Sequence, residues 1–187
     1  MRLKTLNPGR LVVMTAFVVV TSIASYGQSK MEVTGHLGLV SGIGSHGSFG
    51  GSFGAPVADH VIVSGDLSYI PLGGGSVTMF GSTTSTSAKA CNFNGNLQYE
   101  FKRARATVPY AEAGLGFLHS SFSTSSNLVG AGSLNAQGSS TNLYFNAGGG
   151  LRYYVKNNWG FRPEFLIFAG SNTYIRFAAG IFYRFGE

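Results

Sequence analysis

From residue 31 to residue 185 the chain alternates apolar and polar residues in short runs, broken by Gly, Ser, Asn and Pro. A period of two sends successive side chains to opposite faces of an extended strand, whereas a helix would scatter them round its circumference. Residues 61–70 show it cleanly, with Val61, Val63, Leu67 and Tyr69 on one face and Ser64, Asp66 and Ser68 on the other. Residues 89–101 repeat it, Phe93, Leu97, Tyr99 and Phe101 opposing Asn92, Asn94, Asn96, Gln98 and Glu100. Segments 31–40, 46–55, 108–118, 142–155, 159–168 and 173–185 carry the same pattern with more glycine. Eight strands are predicted.

Strands of about ten residues, rising about 3.3 Å each and tilted near 45°, climb roughly 23 Å, which matches the apolar band of a transmembrane barrel. The connections sort by length. Residues 56–60, 102–105 and 156–158 read as short turns, and 71–88 and 119–141 as long loops rich in Ser, Thr, Gly and Asn. Aromatic residues gather at predicted strand ends: Phe101, Tyr153, Trp159, Phe161, Tyr183 and Phe185 at one side, Tyr69, Phe117 and Phe145 at the other. Rings at both ends fit two interfacial girdles. The expected fold is all-β, an antiparallel up-and-down transmembrane β-barrel of about eight strands. A soluble sandwich would require loop lengths, aromatic positions and leader to coincide by chance.

Before residue 28 the chain reads differently. Arg2, Lys4 and Arg10 precede an uncharged run from residue 11 to residue 24, then small residues, the order of a secretory signal. Cleavage is expected after Ala24 or after Gly27, dividing a signal peptide of residues 1–27 from a barrel domain of residues 28–187. The run is short of the roughly 20 residues a spanning helix needs. Composition agrees with strands joined by turns, with aromatics at 13%, charged residues at 11% and 28 glycines. The net charge of +6 falls to +3 without the leader. Its bases are dispersed, which excludes the basic stripe of a nucleic-acid binder. Lys102, Arg103 and Arg105 form the nearest cluster and read as a solvated turn beside anionic headgroups.

Strand parity sends nearly all strand charges to the polar face: Asp66, Glu100, Glu112 and Glu164 with Arg152, Arg162, Arg176 and Arg184. In a narrow interior such charges are expected to pair, because an isolated ion there loses hydration without recompense. Inward glycines would let Tyr110, Tyr144 and Tyr154 fold across the lumen. A structural plug is the first expectation and a narrow polar channel the alternative. His36 is a lone inward histidine without a partner at metal-ligand spacing, Gly73-Gly74-Gly75-Ser76 lacks a phosphate-binding lysine, and Cys91 faces outward as a small apolar thiol. No cofactor or metal is expected.

The segments Val108-Pro109-Tyr110-Ala111-Glu112-Ala113-Gly114-Leu115-Gly116, Gly148-Gly149-Gly150-Leu151-Arg152-Tyr153-Tyr154 and Trp159-Gly160-Phe161-Arg162-Pro163-Glu164 together resemble the small outer-membrane β-barrels of the OmpA-like and OmpX-like kind. The resemblance spans the chain after the leader. It implies outer-membrane location beside lipid and lipopolysaccharide, and recognition by the barrel-assembly machinery through Ile181, Tyr183 and Phe185. His119 and Ser121 have the His-x-Ser spacing that resembles lipid A deacylases, but no Asp or Glu lies nearby on that face to orient the histidine. A non-enzymatic structural or surface-contact role through the long loops is therefore expected, with a lipid A-modifying enzyme as the remaining alternative.

Overall fold

The computed structural model describes residues 30–42, 44–128 and 132–186. The leader and its two cleavage positions lie outside them. Eight strands follow in chain order: β1 Met31–Ser41, β2 His46–Ala58, β3 Val61–Met79, β4 Ser82–Glu100, β5 Thr107–Leu128, β6 Gly132–Lys156, β7 Trp159–Gly170 and β8 Tyr174–Phe185. Each pairs antiparallel with its sequence neighbours, and β8 closes on β1 from Met31–Phe185 to Ser41–Ile175. No edge remains within the barrel. The expected fold class is the observed one.

Register fixes the bore. Following the pairs from Ser41 through Ile175, Ile167, Ala147, Ala113, Leu97, Val63 and Ala55 returns to β1 one rung beyond the Glu32–Gly54 pair, so closure is sheared by ten residues. With strands about 4.8 Å apart and a rise of about 3.3 Å per residue, that shear tilts them by roughly 40°. Eight strands so tilted leave an interior just wide enough for side chains. Glycine makes room where backbones and side chains meet: a Cβ at Gly148 would stand 2.0 Å from the Phe165 carbonyl oxygen.

Partition of side chains is inverted relative to a water-soluble protein. Leu37 is 70% exposed on the outer wall while Arg152 inside is fully buried. Such a continuous apolar exterior is stable only against lipid.

The two long loops expected from composition are not loops. β3 and β4 continue through residues 71–88 to a two-residue turn at Phe80 and Gly81, and β5 and β6 run through most of 119–141. β4 and β5 stay paired as far as Thr83–Asn127, so the two hairpins form one four-stranded sheet projecting beyond the barrel. Its side chains alternate between two solvated faces, which removes the hydropathic alternation that marks a strand. The turn residues Phe80 (φ 50°) and Gly81 (φ 77°) both have positive φ, the backbone of a tight primed hairpin.

Candidate functional site

The eight charged residues that parity grouped together all contribute to one network inside the barrel, and Glu32 joins them at its centre. Glu32 receives Arg152 through Nε at 2.8 Å and Nη2 at 3.0 Å, Arg162 through Nη1 at 3.1 Å and Arg184 through Nε at 2.8 Å. Glu100 pairs with Arg152 at 3.1 Å and also with Arg184. Arg162 then passes to Glu164 at 2.6 Å, Glu164 to Arg176 at 2.9 Å, and Arg176 to Asp66 at 3.0 Å. The chain of ion pairs thus crosses from one wall to the other through every guanidinium in turn.

Neutral groups fix its geometry. Tyr110 receives the Arg162 Nε proton at 2.7 Å, donates to Glu164 at 2.8 Å, and lies beneath the Arg152 guanidinium, 4.3 Å from ring centre to Cζ. Gln98 donates to Glu112 at 2.8 Å and Ser64 at 3.1 Å while accepting from Arg152 at 2.5 Å. Ser68 and Asn94 donate to Asp66 at 2.9 and 3.1 Å, and His36 reaches Asp66 at 3.6 Å. Glu112 is the outlier. Its Oε1 has no hydrogen-bond partner, and its nearest guanidinium, Arg162 at 3.8 Å, is engaged by Glu164.

Apolar tiers close both ends of the network. Toward the projecting sheet, Val40, Ile70, Ala90, Leu118, Tyr144, Leu166, Phe168 and Tyr174 form one buried cluster. Phe168 and Tyr174 stack at 4.4 Å, and Tyr144 meets both edge-on. Toward the termini, Val108, Tyr154 and Phe182 form a second. Between Thr34, His36, Arg162, Glu164 and Ala178 the cavity measures about 10 Å³, room for roughly one water.

Sequence reasoning missed the role of Glu32, although parity put it on the polar face with Thr34 and His36. It also missed Phe168, Tyr174 and Phe182 as inward seals, because those strands are apolar on both faces near their ends. On the outer wall His119 Nδ1 bonds Thr141 Oγ1 at 2.8 Å, with Cys91 and Thr141 as its cross-strand neighbours. Neither is a carboxylate. Ile181, Tyr183 and Phe185 line the outward face of β8, with the Tyr183 and Phe185 rings stacked at 6.5 Å. Among the described residues no group of His, Cys, Asp and Glu is arranged to hold a metal.

The projecting sheet is the second candidate. β2–β3 pairing ends at Phe49–Tyr69 and β6–β7 pairing at Tyr144–Gly170, so both outer strands of the sheet have an open side. The β3 side is interrupted by Pro71 and a register shift to Gly73. Residues 132–143 of β6 contain no proline, no charge and no bulge. At the tip Phe80 is 98% exposed, beside exposed Val77 and Met79.

A closed, lipid-facing antiparallel barrel with a salt-bridged interior defines a transmembrane β-barrel protein. The chain belongs to the outer membrane protein β-barrel domain family, whose model matches residues 11–185, and the outer membrane is accordingly its location. The N-terminal β-barrel of Pseudomonas aeruginosa OprF is similar at 20% identity and TM-score 0.59, covering 85% of this chain and 99% of that one. Ail, the attachment invasion locus protein of Yersinia pestis, is similar at 13% identity and TM-score 0.55, covering 84% and 97%. A major outer membrane protein of Thermus thermophilus gives 13% and 0.58, covering 85% and 100%. Comparison with individually curated proteins yields no match. At these identities the likeness carries the fold. In such barrels the short turns face the periplasm and the long hairpins face outward.

Proposed function

We propose that this protein is a non-enzymatic surface-contact barrel: the plugged cylinder holds a four-stranded sheet clear of the membrane, where it pairs with an extended, uncharged segment of a partner. The free side of β6 carries this reading. Unpaired strand edges bind added strands readily, and proteins normally guard them with charge, proline or a bulge. Residues 132–143 have none of these, and the absence of charge in that segment fits hydrogen bonding better than electrostatic capture. Phe80 at the tip supplies an aromatic anchor of the sort that dominates contact energy.

Export by the N-terminal leader and insertion through recognition of Ile181, Tyr183 and Phe185 complete the proposed route, with outer-leaflet lipid and lipopolysaccharide as the surroundings. The decisive test compares cells displaying the intact barrel with cells displaying one whose hairpins are trimmed at the barrel rim, in adhesion to cell monolayers and matrix-coated surfaces. Trimming should abolish adhesion, and so should lysines at Gln137 and Ser139, which guard the β6 edge without shortening it. Equal adhesion by all three would refute the reading. Lipid A recovered from these cells should be unaltered in mass.

A further inference from the structure

Across β3 to β6 the outward face passes from lipid to water in three successive rungs of the sheet. The first, Leu67–Phe93–Phe117–Leu143, is wholly apolar. The second, Tyr69–Cys91–His119–Thr141, is mixed. The third, Pro71–Lys89–Ser121–Ser139, is polar, and beyond it come Ser87, Ser123 and Gln137. The outer wall therefore turns from apolar to polar across the second rung.

Immediately above it stands Lys89, the one charged residue of segments 67–93 and 115–149 that faces outward, and among the described residues nothing pairs with its ammonium. Rungs climb as they cross tilted strands, so Lys89 on β4 and His119 on β5 stand at nearly one height, diagonal neighbours on one face. Thr141 meets the histidine ring at Nδ1, Nε2 has no hydrogen-bond partner among the described residues, and Ser121 lies directly across from Lys89. A lone cation costs nothing in water, but at a lipid boundary an ammonium, an imidazole and a hydroxyl on neighbouring outward positions, one rung from exposed Phe93 and Phe117, match an amphiphile with an anionic head and apolar chains.

We infer that Lys89, His119 and Ser121 form a binding site for the phosphate headgroup of an outer-leaflet lipid, whose acyl chains lie against Phe93, Phe117 and Leu143. This assigns the His-x-Ser pair to lipid recognition, and it is independent of what the projecting sheet contacts.

The test uses the folded barrel in detergent and native mass spectrometry with three probes: diphosphorylated lipid A, its dephosphorylated form, and inorganic phosphate. The phosphorylated lipid should be retained over the dephosphorylated one. K89Q should lower that retention about tenfold, the size expected for losing one charge-assisted hydrogen bond, H119Q added to it should lower it further, and K89R should preserve it. Heat-modified gel mobility verifies that each variant is folded. Equal retention of both lipids, or a double variant that binds unchanged, overturns the site. Displacement by equimolar inorganic phosphate overturns its assignment to lipid. Loss of an acyl chain from retained lipid A that H119Q prevents would make the pair catalytic and overturn binding as its role.

Discussion

The barrel lumen and the projecting sheet share four strands, yet they are held by different physics. Inside, side chains from separate walls meet: Arg152 on β6 reaches Glu32 on β1, and Arg176 on β8 reaches Asp66 on β3. In the sheet, side chains bond only to the next strand, as Thr84 does to Ser126, Thr86 to Thr124 and Ser87 to Ser123. A cross-wall network makes each member depend on several others, whereas a ladder of hydroxyl pairs can lose one rung locally. The difference explains how one region can be rigid and closed while the other is open to a partner.

The contrast breaks first at Glu32. Glu32→Ala removes the carboxylate that Arg152, Arg162 and Arg184 share, leaving them only their pairs with Glu100 and Glu164, and should cost about 3–5 kcal/mol, since breaking buried ion pairs from one side is strongly destabilising. Denaturant unfolding in liposomes measures it, and a change below about 1 kcal/mol, within the range of an exposed pair, would mean that the network does not hold the barrel. Transport gives the next test. Wild-type barrels in planar bilayers should pass no steady current, and a double change of Arg162 and Glu164 to Ala should produce flickering conductance; steady wild-type current would show that the lumen is a channel.

Glu112 sharpens the comparison from within. Five carboxylates share the lumen with four guanidiniums, and Glu112 is the one whose nearest guanidinium lies as far as 3.8 Å. Glu112→Gln should change stability by less than about 1 kcal/mol, in either direction, because the amide oxygen still accepts from Gln98 and the charge removed has no close guanidinium. A loss as large as that at Glu32 would contradict this ranking. In the sheet, Phe80→Gly should stabilise the hairpin by about 1 kcal/mol, because a bulky residue at φ 50° is strained there; slower amide exchange near the tip is the readout. Smallest of all, Thr86→Ala should cost only a few tenths of a kcal/mol, measured by the same denaturant unfolding.

Strand parity was legible wherever one face meets lipid and the other does not. Val61 to Ile70 and Phe93 to Phe101 therefore read correctly, and the inward charges followed from them. Where both faces share one environment the signal vanished. Residues 71–88, 120–127 and 132–141 are solvated on both sides and looked like loops, although β-branched Val77, Thr78, Thr83, Thr84 and Thr86 carried a weak strand preference. Phe168 and Phe182 are apolar inside as well as out, so alternation could not mark them as seals.

The sequence by itself determined eight membrane-crossing strands, the direction each side chain takes and the segregation of charge to the interior, because those depend on local period and hydropathy. Only the tertiary structure decided who pairs with whom. Closure with a shear of ten residues brings Glu32 of the first strand between arginines of the sixth, seventh and eighth. The same closure ends at β2 and β7 while the four middle strands run on, and so leaves the β6 edge and the Lys89–His119 boundary exposed. Register between distant strands sets these contacts, and a period of two along any one strand contains no information about it.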